Sequence, residues 1–290
     1  MDGKVNRMAV IDTHHHVWWH ARRPHQWPAA AGDMLHRDFT TDELAAEMRQ
    51  AGVDGTILMQ SLNDYEETQE FLDIAAATPW IRGVVGWVPL DSPAETEAAL
   101  DILRARGRLV GIRHLMRVGA APGFLTQPSV LQSLMLLARA ELVFETVPVN
   151  AEQFEQAFAV AARFPSMPYV INHLGRPPVP EQGWEPWASL IKRAAALPNM
   201  AIKLSAGIAL IQDWRWSTEE IRPYVEHVIE SFGPGRVMAG SNWPVALIAG
   251  SYQEIWRGIA ELVSRYSEAE RRGMLGENAE RIYALDAPAG

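Results

Sequence analysis

Eight short apolar, β-branched runs alternate with helical stretches along the whole chain, and this order limits the fold more than any other feature of the sequence. The runs lie at residues 8–16, 55–61, 81–89, 109–115, 142–147, 169–174, 200–205 and 236–241. Amphipathic helical stretches at 41–51, 65–77, 94–106, 151–164, 220–232 and 252–265 fall between or after them. Strands that alternate with helices build a parallel sheet. Eight such units without a break predict closure into a distorted (β/α)8 TIM barrel, one domain over residues 1–290. A doubly wound open sheet is the alternative. It usually carries a Gly-rich turn after its first strand, and here that turn is His-rich. The tail at 267–285 reads as extra C-terminal helices, with Ser267 and Glu270 spaced as a capping box.

In such a barrel the C-terminal strand ends share one rim, where catalysis resides. The first strand ends Asp12-Thr13-His14-His15-His16. Side chains alternate across a strand, so His14 and His16 share one face and His15 takes the other. If the shared face is the interior, two imidazoles converge as a metal nest or as a clamp on a substrate oxygen. Other strand ends carry Arg113-His114, Phe144-Glu145-Thr146, Asn172-His173-Leu174-Gly175, Lys203, and Gly240-Ser241-Asn242-Trp243-Pro244. Each alone admits a structural role: His114 as a packing residue, Lys203 as a satisfied interior cation. So many at one rim point to a reaction centre. Trp18, Trp19, Trp27, Trp87, Trp184, Trp187, Trp214, Trp216 and Trp243 follow the same ends. Most read as loop packing. Trp18 and Trp243, nearest the polar residues, are candidates for an apolar wall against a ring-shaped substrate.

Composition removes several function classes. The net charge of −9 argues against a nucleic-acid partner and against an anionic membrane surface. It leaves a small-molecule substrate open, even an anionic one, because local Arg and Lys can reverse the sign inside a pocket. Cysteine is absent, so any metal must take His, carboxylate or water ligands. The polar N-terminus lacks a signal-peptide core and no stretch is apolar enough to span a bilayer, so a cytoplasmic location is expected. Trp-rich loops offer a contact for a homodimer.

The chain resembles the amidohydrolase superfamily, and within it the sugar-lactonase-like branch that includes L-fuconolactone, L-rhamnonolactone and 2-pyrone-4,6-dicarboxylate lactonases. The resemblance rests on Ile11-Asp12-Thr13-His14-His15-His16-Val17-Trp18, Gly83-Val84-Val85-Gly86-Trp87-Val88 and Gly111-Ile112-Arg113-His114. It continues through Val170-Ile171-Asn172-His173-Leu174-Gly175-Arg176-Pro177, Ile202-Lys203-Leu204-Ser205 and Gly240-Ser241-Asn242-Trp243-Pro244-Val245. It implies a barrel that hydrolyses a small ring ester with activated water. His14, His16 and His173 would line the catalytic centre, and Arg113, His114 and Lys203 would bind or polarise substrate. Glu145 falls at a position that is acidic in some relatives. One divalent ion, zinc the best fit, would take His14, His16 and His173. The branch also includes metal-independent enzymes, so both arrangements stay open.

Two departures stand out. The family pattern resembles Gly-Ser-Asp-Trp-Pro where this chain has Asn242, and that aspartate is taken to activate water. Neutral Asn accepts no proton. His114 or Glu145 would then be the substitute base. Asn242 equally suits decarboxylation or C–C hydrolysis on the same barrel, or a catalytically silent small-molecule binder. The second departure is Asn172, where relatives usually have Asp. By alternation it is expected to point away from His173 and to matter only structurally.

Overall fold

The computed structural model describes residues 9–23, 25, 31, 33–116, 122–207 and 215–285. The polar start at 1–8, Trp27 and Trp214 lie outside the described residues.

The strands are β1 (Ile11–His15), β2 (Gly55–Met59), β3 (Ile81–Gly86), β4 (Leu109–His114), β5 (Val143–Thr146), β6 (Tyr169–Ile171), β7 (Met200–Leu204) and β8 (Val237–Ala239). They pair in chain order, every pair parallel. The last strand returns to the first beyond its regular end. Asn242 N donates to His14 O (2.8 Å) and His16 N to Trp243 O (2.7 Å), which closes the barrel. Asp12 seals the seam by accepting from Ser241 N (2.8 Å), Ser241 Oγ (2.6 Å) and Tyr252 OH (3.2 Å). Gly240 belongs at this seam because a Cβ there would lie 2.9 Å from His14 Cβ.

The helices are α1 (Thr41–Ala51), α2 (Tyr65–Ala77), α3 (Pro93–Ala105), α4 (Pro128–Arg139), α5 (Ala151–Arg163), α6 (Trp187–Ala195), α7 (Thr218–Phe232), α8 (Tyr252–Leu262), α9 (Glu268–Arg272) and α10 (Asn278–Ile282). Their starts follow local chemistry. Asp64 and Asn150 accept from the backbone N–H three residues on, and Ser251–Glu254 and Ser267–Glu270 form capping boxes. Among the described residues no helix is long and apolar enough to cross a membrane.

The alternation of strand residues sorts two cores. Leu58, Val84, Ile112, Phe144, Tyr169, Ile202 and Val237 join the large cluster shared with the helices. Ile11, Ile57, Met59, Val85, Val143, Val170, Ala201 and Met238 form the barrel interior, joined by Ala279 and Tyr283 from the C-terminal segment. That segment, read from sequence as helices packed on the barrel, therefore reaches the inner core of the barrel. Above this apolar floor the inward positions turn polar.

Candidate active site

The polar interior builds up in steps from the floor toward the strand ends. Lowest are Glu145 of β5 and Lys203 of β7, both wholly buried and paired at 2.8 Å. Glu145 also accepts from Asn172 Nδ2 (2.7 Å) and from the hydroxyl of Tyr283. Burial pushes Lys203 down to about 8 against the opposing pull of Glu145. Lys203 makes a second contact with Met59 Sδ (3.3 Å). Both charges are therefore answered within the barrel. Tyr283→Phe would remove one charge-assisted hydrogen bond and leave the ring in place. It should destabilise the protein by about 1.5–3 kcal/mol, read from denaturant midpoints; an unchanged midpoint would show that the hydroxyl does not hold Glu145.

Arg113 of β4 lies wholly buried in the same interior. It donates to Asn172 Oδ1 (3.1 Å), to Gln60 Oε1 (3.2 Å), to Gln60 O and to His14 Nε2 (3.2 Å). All these acceptors are neutral, and burial lowers its pKa to about 10. Asn172, expected to point away from His173 and to matter only structurally, bridges Arg113 and Glu145 inside the barrel. Alternation from Val170 inside and Ile171 outside puts Asn172 inside as well; His173 joins it because β6 ends at Ile171 and the backbone turns to φ +55°. An amide suits the bridge, since it accepts from Arg113 and donates to Glu145 at once.

At the top, His14 and His16 present their Nε2 atoms to each other at 3.2 Å. The His173 ring lies 4.5 Å from that of His14, its Nδ1 held by Ser205 Oγ at 2.8 Å. The three rings are almost wholly buried. Burial holds all three pKa values far below the ordinary imidazole range, aided by the charge of Arg113 and, for His14 and His173, of Lys203. Burial thus favours the uncharged ring in all three. His15 points the other way, to Thr56 Oγ1 (2.9 Å) and the face of Trp80.

His16 Nδ1 lies 2.9 Å from Met59 O, which assigns its proton to Nδ1 and a lone pair to Nε2. Arg113 can only donate, which assigns a lone pair to His14 Nε2. Two lone pairs then face across a gap close to the roughly 3.3 Å expected between two ligands of one tetrahedral zinc. The set stops short of a full site. Among the described residues no third His or carboxylate completes a metal-holding group. Glu145 is engaged below, Asn242 is neutral, and a guanidinium already donates to one of the two nitrogens.

Asn242 is buried at φ +58°, a conformation Asn tolerates, and its Nδ2 donates to Ala206 O at 2.7 Å. His114 is set apart from the three histidines. Trp87 Nε1 donates to its Nδ1 (3.3 Å), Phe124 stacks on it at 4.5 Å, and burial lowers its pKa to about 4. That is the packing role its sequence also admitted. Trp18 and Trp243 are each 2% exposed and pack edge-on against Phe39, with Trp18 Nε1 donating to Arg37 O. Their apolar area is covered by the first loop, so the loop-packing reading describes them and the substrate-facing wall does not. Trp184, at 41%, is the large exposed tryptophan among the described loop residues.

Sequence reasoning passed over Gln60, Ser205 and Tyr283, and a rim network around Glu67. Glu67 accepts from Ser61 Oγ, Ser61 N (2.8 Å) and Leu62 N (3.1 Å), and Ser61 Oγ meets His25 Nε2 at 2.7 Å. Burial raises Glu67 from 4.5 to about 7. Its folded pKa lies above the unfolded one, so its contribution is complete below pH 4.5 and is lost as pH rises toward 7. Glu67→Gln should flatten stability across that window in denaturant titrations. A decline as steep as the parent's would assign it to another group.

The chain matches the amidohydrolase family model over residues 11–285. It is 31% identical to an L-fucono-1,5-lactonase of Burkholderia ambifaria over 286 residues, 97% of each chain. An amidohydrolase of Burkholderia multivorans with bound HEPES superposes with a TM-score of 0.86 at 29% identity, covering 96% of this chain and 100% of that one. A second crystal form of a Burkholderia multivorans amidohydrolase, with bound zinc, gives 0.83 at 29% identity and the same coverage. With the family model spanning all eight strands and the similarity running nearly end to end, the chain belongs to the amidohydrolase family.

Proposed function

We propose that the chain hydrolyses a small lactone with a water activated among His14, His16 and His173. The observation that carries this reading is the convergence of three buried imidazoles beside a buried cation. A base must be neutral before it can take a proton, and burial keeps these rings so. His173 is steered through Nδ1 by Ser205, and its other ring nitrogen accepts the proton of the attacking water. Arg113 keeps Nε as a buried N–H without a partner among the described residues, beside the centre where the carbonyl oxygen gains charge. Lactones are reactive esters, so one base and one electrophilic donor suffice. The lactonase similarity supports the reaction class.

A divalent ion would find two ligand nitrogens, those of His14 and His16, and no third His or carboxylate among the described residues. The test is hydrolysis of a panel of aldonolactones and carboxylated lactones, followed by pH indicator. Turnover of at least one is expected. Inactivity on the whole panel, with and without added zinc, would overturn the reading.

A further inference from the structure

Four consecutive residues after β6 have positive φ: His173 (+55°), Leu174 (+52°), Gly175 (+66°) and Arg176 (+60°). L-residues avoid this region at roughly 1–2 kcal/mol each. A run of four persists only where packing over-determines it. Here Leu174 is wholly buried, its carbonyl accepts from Trp187 Nε1 at 2.8 Å, and Arg176 N donates to His173 O at 2.8 Å. Gly175 is needed in the turn, since a Cβ there would lie 2.9 Å from the Phe154 ring.

The turn has close to three residues per repeat, so its first and fourth side chains lie on the same side. Those are His173, which belongs to the imidazole cluster, and Arg176. The charge of Arg176 bears on His173 and helps hold that imidazole neutral. The guanidinium is partly buried, and it has no hydrogen bond or ion pair among the described residues. The other two cations of the site differ. Lys203 is paired with Glu145, and both terminal nitrogens of Arg113 are engaged.

We infer that Arg176 is the residue that binds the carboxylate of a hydroxy-acid at the mouth of the site. The inference rests on the lactone-hydrolysis reading for the identity of that acid. Ring opening adds one water across the acyl–oxygen bond, giving a hydroxyl, a carboxylate and a released proton. The carboxylate forms beside His173, in a protein whose net charge of −9 repels anions elsewhere. A planar guanidinium on the same side as that histidine meets it with paired hydrogen bonds.

Calorimetric binding of an aldonate, with the alditol of the same carbon skeleton as the uncharged control, tests this directly. The parent protein should bind the aldonate more tightly than the alditol. Arg176→Gln should lose roughly 10–100-fold in aldonate affinity, the weight of a charge-assisted pair, with little change for the alditol. Arg176→Lys keeps the charge but not the paired hydrogen bonds and should recover part of the loss, which separates recognition from a folding defect. Equal aldonate affinity in parent and Arg176→Gln, or a parent that does not prefer the acid, overturns the inference. Arg176-dependent aldonate binding in a protein that opens no lactone would overturn the proposed reaction and leave the anion site standing.

Discussion

Replacing His14 or His16 by Ala should lower kcat/KM for lactone hydrolysis by ~10²–10⁴-fold, the weight of an acid–base step whose water they help to hold for His173. The two rings act as a unit. Their Nε2 atoms face each other at 3.2 Å, one anchored through Nδ1 to Met59 O and the other met by Arg113. Losing either removes one of the two lone pairs that face the held water, so the double variant should be hardly worse than each single one. His15→Ala is the control from the same strand. His15 lies in the layer between barrel and helices, against Thr56 and Trp80. Its truncation opens a space in a buried layer and should cost about 2–4 kcal/mol of stability, with less than roughly tenfold loss of turnover in the folded fraction. Comparable activity losses at all three positions would contradict the register of β1.

The contrast between His15 and its neighbours was legible because a strand has a period of two. The eight-unit order and the capping box at Ser267 were legible for similar reasons: each is a local pattern with one geometric outcome. Asn172 and His173 were not. The rule that separates neighbouring side chains holds only while the strand continues, and β6 stops at Ile171 before the backbone turns left-handed. Tyr283 was invisible for another reason. It meets Glu145 across 138 residues of sequence, from the turn just after α10, and nothing in either local sequence signals the partner. Trp18 and Trp243 illustrate a third limit. Their positions in sequence put them beside the rim, but Phe39, from the end of the first loop, covers them.

Asn242→Asp should convert a neutral, incomplete donor set into a metal site. The amide Nδ2 now donates to Ala206 O at 2.7 Å. A carboxylate oxygen in its place would face that carbonyl with no proton between them, so the side chain must turn away. Without metal the variant should lose about 1–3 kcal/mol, the cost of a broken buried hydrogen bond. The positive φ at this position adds nothing, since Asp tolerates it as Asn does. With zinc the balance reverses. The carboxylate supplies the anionic ligand missing beside His14 and His16, and binding stabilises the folded state by mass action. Zinc should therefore raise the melting temperature of the variant far more than that of the parent. Lactone hydrolysis should rise with it, by up to ~10²–10⁴-fold if the carboxylate also takes the water's proton. A variant that gains neither zinc nor rate, and loses an activity the parent has, would assign Asn242 a different part. Its amide would then be required as it stands, holding the end of β7 against the closing strand.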